Sequence, residues 1–249
     1  MLCLSTIGET EHIGYCRTGE TRMSFVYEIA LTGDQAHSDR VKTWLGSGLA
    51  RANMTIPGLS ALDVYRPVAG TRDPYNKDES PPLLIVVAEF QAVDALRPAA
   101  PALEQGLAIL PPGVEATLTA MERRFYPIAD EAGPPPPKAP FSYVVRYHRP
   151  AEDEKAFVAH YVADHPRLEA MFPRIRSIMC YFPLENPRSG RFAAADYMLG
   201  NEVVFDSVED FNAAMQSPVR HDMRAHFHSF PKFSGPVTHF AMLRERLLG

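Results

Sequence analysis

Residues 160 to 173, HYVADHPRLEAMFP, set His160, Tyr161, Asp164 and His165 within six positions. Histidine titrates nearest neutrality, and a neighbouring carboxylate fixes its tautomer and makes it a usable base. Tyr161 and His165 are four apart, as are His160 and Asp164, so on a helix each pair can touch. Phe157, Tyr161 and Leu168 then form an apolar stripe with His160 and His165 on opposite flanks. His165, His160 and Tyr161 are the candidate catalytic residues, and Asp164 joins the candidate substrate contacts. The ring of Pro166 opposes the carbonyl of Val162, which predicts a kink or a restart of the helix there and a His165 tilted towards a neighbouring sheet. The plainer alternative is a His165 that caps the second helical segment and a His160 in solvent.

Three further candidates come from strands. In FSYVVRYH, Phe141, Tyr143, Val145 and Tyr147 alternate with Ser142, Val144, Arg146 and His148. Neither side is wholly polar, so both faces are expected to be covered. Tyr147 offers a hydroxyl to a substrate oxygen, and Arg146 a cation for a developing oxyanion. His239, in VTHFAM, shares the face of Val237 and Ala241 and is a third pocket candidate. The histidines of VRHDMRAHFHSFPKF read as solvated, His226 bordering the core. Cys180, in IRSIMCYFP, reads as a small buried apolar residue. No HExxH or Cys-rich pattern indicates a metal, and no GxSxG elbow, phosphate loop or dinucleotide fingerprint is present, so neither metal nor cofactor is expected.

These residues must be placed by elements, and the elements come in two sets. The run PIADEAGPPPPKAP, residues 127 to 140, reads as a semi-rigid spacer near the middle of a 249-residue chain. Phe25 and Phe141, Tyr27 and Tyr143, Arg51 and Arg167, Pro57 and Pro173, Tyr65 and Tyr181, and Pro67 and Pro183 are each 116 positions apart. Each half reads strand, helix, strand, strand, helix, strand, the order of a ferredoxin-like unit. The expectation is α+β: residues 23–126 and 141–249 as tandem βαββαβ modules packing sheet to sheet into a barrel, with residues 1–22 as an extension. At the 116 offset, His160, Tyr161, Asp164 and His165 face Trp44, Leu45, Gly48 and Leu49. Any chemistry should therefore occur once per chain, in the second half.

Composition narrows the partners. A net charge of −5 and the absence of Lys/Arg runs give no surface for nucleic acid. The longest apolar run, PPLLIVVAEF, is too short to span a bilayer and reads as a buried strand. Three cysteines, Cys3, Cys16 and Cys180, without secretory features suit a reducing cytoplasm.

The second half resembles the EthD-like family of the dimeric α+β barrel superfamily. The resemblance rests on YHRP after the first strand and on FVAHYVADHPRLEAMFPRIR, and it covers about residues 141 to 243. It implies a pocket between sheet and helices for a small hydrophobic or aromatic molecule, with no cofactor in many relatives and haem in some. The expected function is a His-based proton-transfer enzyme of lyase, dehydratase, isomerase or decarboxylase type. A non-catalytic binding protein and a cofactor-free or haem-dependent monooxygenase are the alternatives, and a homodimer is a further expectation.

Overall fold

The structure, a computed structural model, describes residues 22–46, 56–76, 80–128, 140–184 and 191–248. The expected extension, apart from Arg22, and most of the proline-rich spacer lie outside the described residues, as do Gly48, Leu49 and Arg51. The first half comprises β1 (Met23–Gly33), α1 (Ser38–Trp44), β2 (Leu59–Pro67), β3 (Leu84–Phe90), α2 (Leu96–Leu107) and β4 (Val114–Tyr126). The second comprises β5 (Phe141–His148), α3 (Glu154–Glu169), β6 (Ser177–Pro183), β7 (Tyr197–Phe205), α4 (Val208–Met215), α5 (Pro218–Phe227) and β8 (Val237–Leu248).

The eight strands close into one barrel in the order β1-β3-β2-β8-β5-β7-β6-β4. Within each half the order is ferredoxin-like, with β1 between β4 and β3 and β5 between β8 and β7. The halves join through two antiparallel ladders, β2 with β8 and β4 with β6. Closure leaves neither sheet with a free edge. All seven side chains of β3 are buried, as its unbroken apolar run predicts for a strand covered on both faces.

Alternation along the strands separates two environments. Tyr27, Ile29 and Leu31 of β1 face α1 and α2, and Tyr143, Val145 and Tyr147 of β5 face α3, α4 and α5. The opposite faces meet inside the barrel, where Val26, Tyr65, Val87, Met121, Val144, Met179 and Met242 pack across the two halves. Buried charges share that interior in pairs, as burial requires. Arg123 Nη2 lies 2.7 Å from Glu89 Oε2, and Glu202 accepts from Ser142 Oγ at 2.7 Å and Tyr181 Oη at 2.5 Å.

Arg146 belongs to this interior. Its guanidinium is buried against Glu28 of the first half, with Nε to Oε2 at 3.2 Å, and donates through Nη1 to the Asn201 carbonyl at 3.1 Å. Gly200 makes room for it, since a β-carbon there would lie 3.0 Å from Arg146 Nη1 and from Tyr181 Cβ. The expectation that Arg146 contacts substrate beside Tyr147 is thereby corrected. Consecutive strand residues point to opposite faces, and its face is the lumen.

Two helix expectations also change. Helix α3 runs from its N-cap Asp153, whose carboxylate accepts from Ala156 N at 2.9 Å, through Pro166 to Glu169 without restarting. Pro166 deprives the Val162 carbonyl of its helical donor, and it is buried. The one helix expected between the last two strands of the second half is instead two, broken at Gln216 and Ser217, with Pro218 in the first turn of α5.

Candidate functional site

A cavity of about 640 Å³, its opening to solvent included, lies on the helix side of the second half. Its floor is the outward face of the sheet: Tyr143, Val145 and Tyr147 of β5, Asn201 and Val203 of β7, and His239 of β8. Tyr161, His165 and Glu169 line it from α3, and Arg220, Met223, Arg224 and Phe227 from α5. Asp73 and Asn76 come from the segment following β2, so the first half completes the site. That segment is tied down by Arg220, whose Nε and Nη2 reach Asp73 Oδ1 and Oδ2 at 3.2 and 3.0 Å. Asn212 bridges the Gly70 carbonyl and the Arg72 amide at 2.9 and 2.7 Å.

The polar end of the cavity holds a carboxyl and an imidazole on successive turns of α3. His165 Nε2 and Glu169 Oε1 are 3.8 Å apart, and Glu169 Oε2 accepts from Asn201 Nδ2 at 3.0 Å. Burial raises the Glu169 carboxyl to about 8, against the opposing hydrogen bond from Asn201. Burial, reinforced by His226, Arg220 and His160, pushes the His165 imidazole well below its usual range. Near neutral pH the pair is therefore mostly a carboxylic acid beside a neutral imidazole.

His165 is held from behind. Its Nδ1 is 3.0 Å from His226 Nδ1, so one ring donates and the other accepts. His226 stacks on His160 with ring centroids 5.1 Å apart, and His160 Nε2 lies 3.0 Å from Ser229 Oγ. The Tyr161 ring rests against His165 at 4.3 Å between centroids. The Tyr161 hydroxyl is buried beside Tyr147 without a hydrogen-bond partner among the described residues, and burial raises both phenols. Such an orphaned donor in a cavity wall is available to a ligand.

Of the residues singled out from the sequence, Tyr147, Tyr161, His165 and His239 line the same cavity. Burial lowers the His239 imidazole to about 4. His160 stands behind His226, outside the cavity lining, and Asp164 is exposed, also outside the lining but near enough to His226 to favour its charged form. His226 is not simply solvated, because the fold of α5 against α3 brings it to His165. Glu169, Asn201 and Asp73 were missed. The i, i+4 spacing of His165 and Glu169 is readable, but the kink or restart expected at Pro166 weakens any helical spacing read beyond His165. Among the described residues, no group of three or more His, Cys, Asp or Glu side chains is arranged to hold a metal ion.

No family model matches the sequence, and no curated protein matches it. Solved structures do. An anthrone oxidase-like protein is 13% identical, with 91% of this chain and 94% of that chain covered and a TM-score of 0.60. A candidate monooxygenase from Fusobacterium nucleatum is 12% identical, with 91% and 95% covered and a TM-score of 0.50. An EthD family protein from Bacillus halodurans is 19% identical over 39% of this chain and 95% of its own, at a TM-score of 0.32, too slight a likeness to carry an argument. At these identities the likeness establishes architecture alone. Taken with the closed strand order, it shows that this chain has the dimeric α+β barrel fold, built from two ferredoxin-like halves of one polypeptide.

Proposed function

We propose that the protein is an acid–base enzyme acting on a small aromatic or hydrophobic molecule in the cavity of its second half. The observation that carries this reading is a His165–Glu169 pair on successive turns of α3, 3.8 Å apart and almost fully buried in the cavity wall, where desolvation raises the carboxyl to about 8 and lowers the imidazole. Perturbed titratable groups in an apolar cavity are the signature of a site tuned for proton transfer. With His165 Nδ1–H donating to His226, His165 Nε2 carries a lone pair towards the cavity. His165 then takes a proton from a substrate carbon or hydroxyl while Glu169 delivers its own proton to a substrate oxygen. The two charges so formed, imidazolium and carboxylate, cancel when the proton returns across the 3.8 Å between them. Tyr161 and Tyr147 donate to the oxygen on which charge develops. This chemistry suits isomerisation, elimination or decarboxylation.

The oxidase and monooxygenase named among the structural neighbours suggest one variation, capture of the substrate carbanion by dioxygen.

The test is a thermal-shift screen of aromatic acids, phenols and lactones against wild type, His165→Ala and Glu169→Gln, followed by product analysis with an oxygen electrode in line. A ligand at a hundredfold over its Kd stabilises the fold by about 2.7 kcal/mol. Turnover in the wild type, with binding but little turnover in both variants, is the expected result. A ligand bound by all three and altered by none would make the protein a binding module, and oxygen uptake would identify an oxygenase.

A further inference from the structure

The cavity has a charge balance that its acid–base pair does not explain. Its charged lining residues are Asp73, Arg220 and Arg224, and Asp73 and Arg220 neutralise one another in a bidentate pair whose side chains are 3% and 11% exposed. Arg224, one turn further along α5, has no carboxylate within ion-pair distance among the described residues. Its guanidinium carbon instead lies 5.5 Å from the Tyr75 ring centre and 5.3 Å from that of Phe227. The other titratable lining residues do not offset it, since Glu169 is mainly the neutral acid below about 8 and His239 is neutral above about 4. Among the described residues, the site therefore carries one positive charge without an ion-pair partner, next to aromatic walls.

We propose that Arg224 is the specificity-determining anchor for an anionic group, so that the ligand of this cavity is an aromatic carboxylate, its ring lying against Tyr143 and Phe227. The inference rests on the reading of this cavity as an aromatic acid–base site and adds the ligand's charge. An aromatic ring fills the apolar part between β5 and α5, and a carboxylate at its edge meets the planar fork of an arginine that already lies beside the Tyr75 and Phe227 rings. That arginine gives up few protein contacts on pairing. A neutral ring of the same size would leave the charge unanswered in a partly desolvated site.

The test compares benzoate and 4-hydroxybenzoate with benzamide and 4-hydroxybenzamide by titration calorimetry on the full-length protein, as wild type, Arg224→Gln and Arg224→Lys. Each carboxylate is expected to bind about tenfold or more tightly than its amide to the wild type. The ratio should fall to about one in Arg224→Gln and recover in part in Arg224→Lys, with amide affinity little changed throughout. Circular dichroism confirms that each variant is folded. Amides that bind the wild type as well as the acids, or a preference that survives Arg224→Gln, would overturn the assignment while leaving the aromatic cavity standing. Failure of acids and amides alike to bind at millimolar concentration would overturn both.

Discussion

Glu169 is the acid of the proposed chemistry, and its protonation leaves a thermodynamic trace. Its folded pKa, about 8, lies above the ordinary 4.5, so the folded state holds this proton more tightly than the unfolded chain does. The contribution to stability is full below about 4.5 and lost as pH rises through about 8. Denaturant titrations of wild type and Glu169→Gln should therefore diverge on the alkaline side, the variant gaining relative to wild type by a few kcal/mol between about pH 5 and pH 9. A constant difference across that range would show that Glu169 ionises normally. In turnover, activity should fall above about pH 8, as the acid is lost. Tyr161 gives a second test: its orphaned hydroxyl predicts that Tyr161→Phe leaves the empty protein equally stable or up to about 2 kcal/mol more so, while weakening ligand binding. Thermal unfolding with and without ligand separates the two effects.

At the scale of elements, the site depends on three things meeting: an uninterrupted α3, the start of α5 at Pro218, and the segment after β2. Continuity of α3 through Pro166 sets Glu169 one turn below His165, and the break before Pro218 lets α5 lay His226 and Arg220 against that turn. The segment carrying Asp73 is anchored to α4 and α5 through Asn212 and Arg220. Asp73→Ala should destabilise the fold by about 2–4 kcal/mol, because Arg220 is left largely buried without its partner. Paired with Arg220→Met, much of that loss should be recovered, since both charges are then gone. Hydrogen exchange should quicken at residues 70–76 in the single variant, and unchanged protection there would show that the pair does not hold the segment.

At the scale of the whole molecule, one chain supplies both halves of a barrel whose interior is stitched by charges. The Arg146–Glu28 pair crosses from one half to the other with both side chains at most 2% exposed. Glu28→Ala should cost about 3–5 kcal/mol, because it strands a buried guanidinium, whereas Glu28→Leu with Arg146→Met should be far milder. Equilibrium unfolding of the variants decides the matter, and equal losses would mean the pair itself is the source of stability. No helix among the described residues is long and apolar enough to cross a membrane. The second ladder, β4 with β6, and the first, β2 with β8, close the barrel without a second copy of the chain.

Much of this architecture is legible along the chain. Alternation in FSYVVRYH, the buried run of β3 and the 116-residue offset are local patterns, and they suffice for two βαββαβ units and for grouping His165, Tyr161, Tyr147 and His239 of the second half around one cavity, but not for the Asp73 and Asn76 that the first half adds to it. Local periodicity says which residues share a face. It does not say what that face meets when both faces are partly apolar, and so it could not send Arg146 into the lumen and Tyr147 to the cavity. Nor could it join His226 to His165, 61 residues apart, or bring Asp73 to Arg220 across 147. Those pairings, and the burial that makes an acid of Glu169 at neutral pH, follow from barrel closure and helix packing, because desolvation and charge proximity are properties of distances through space.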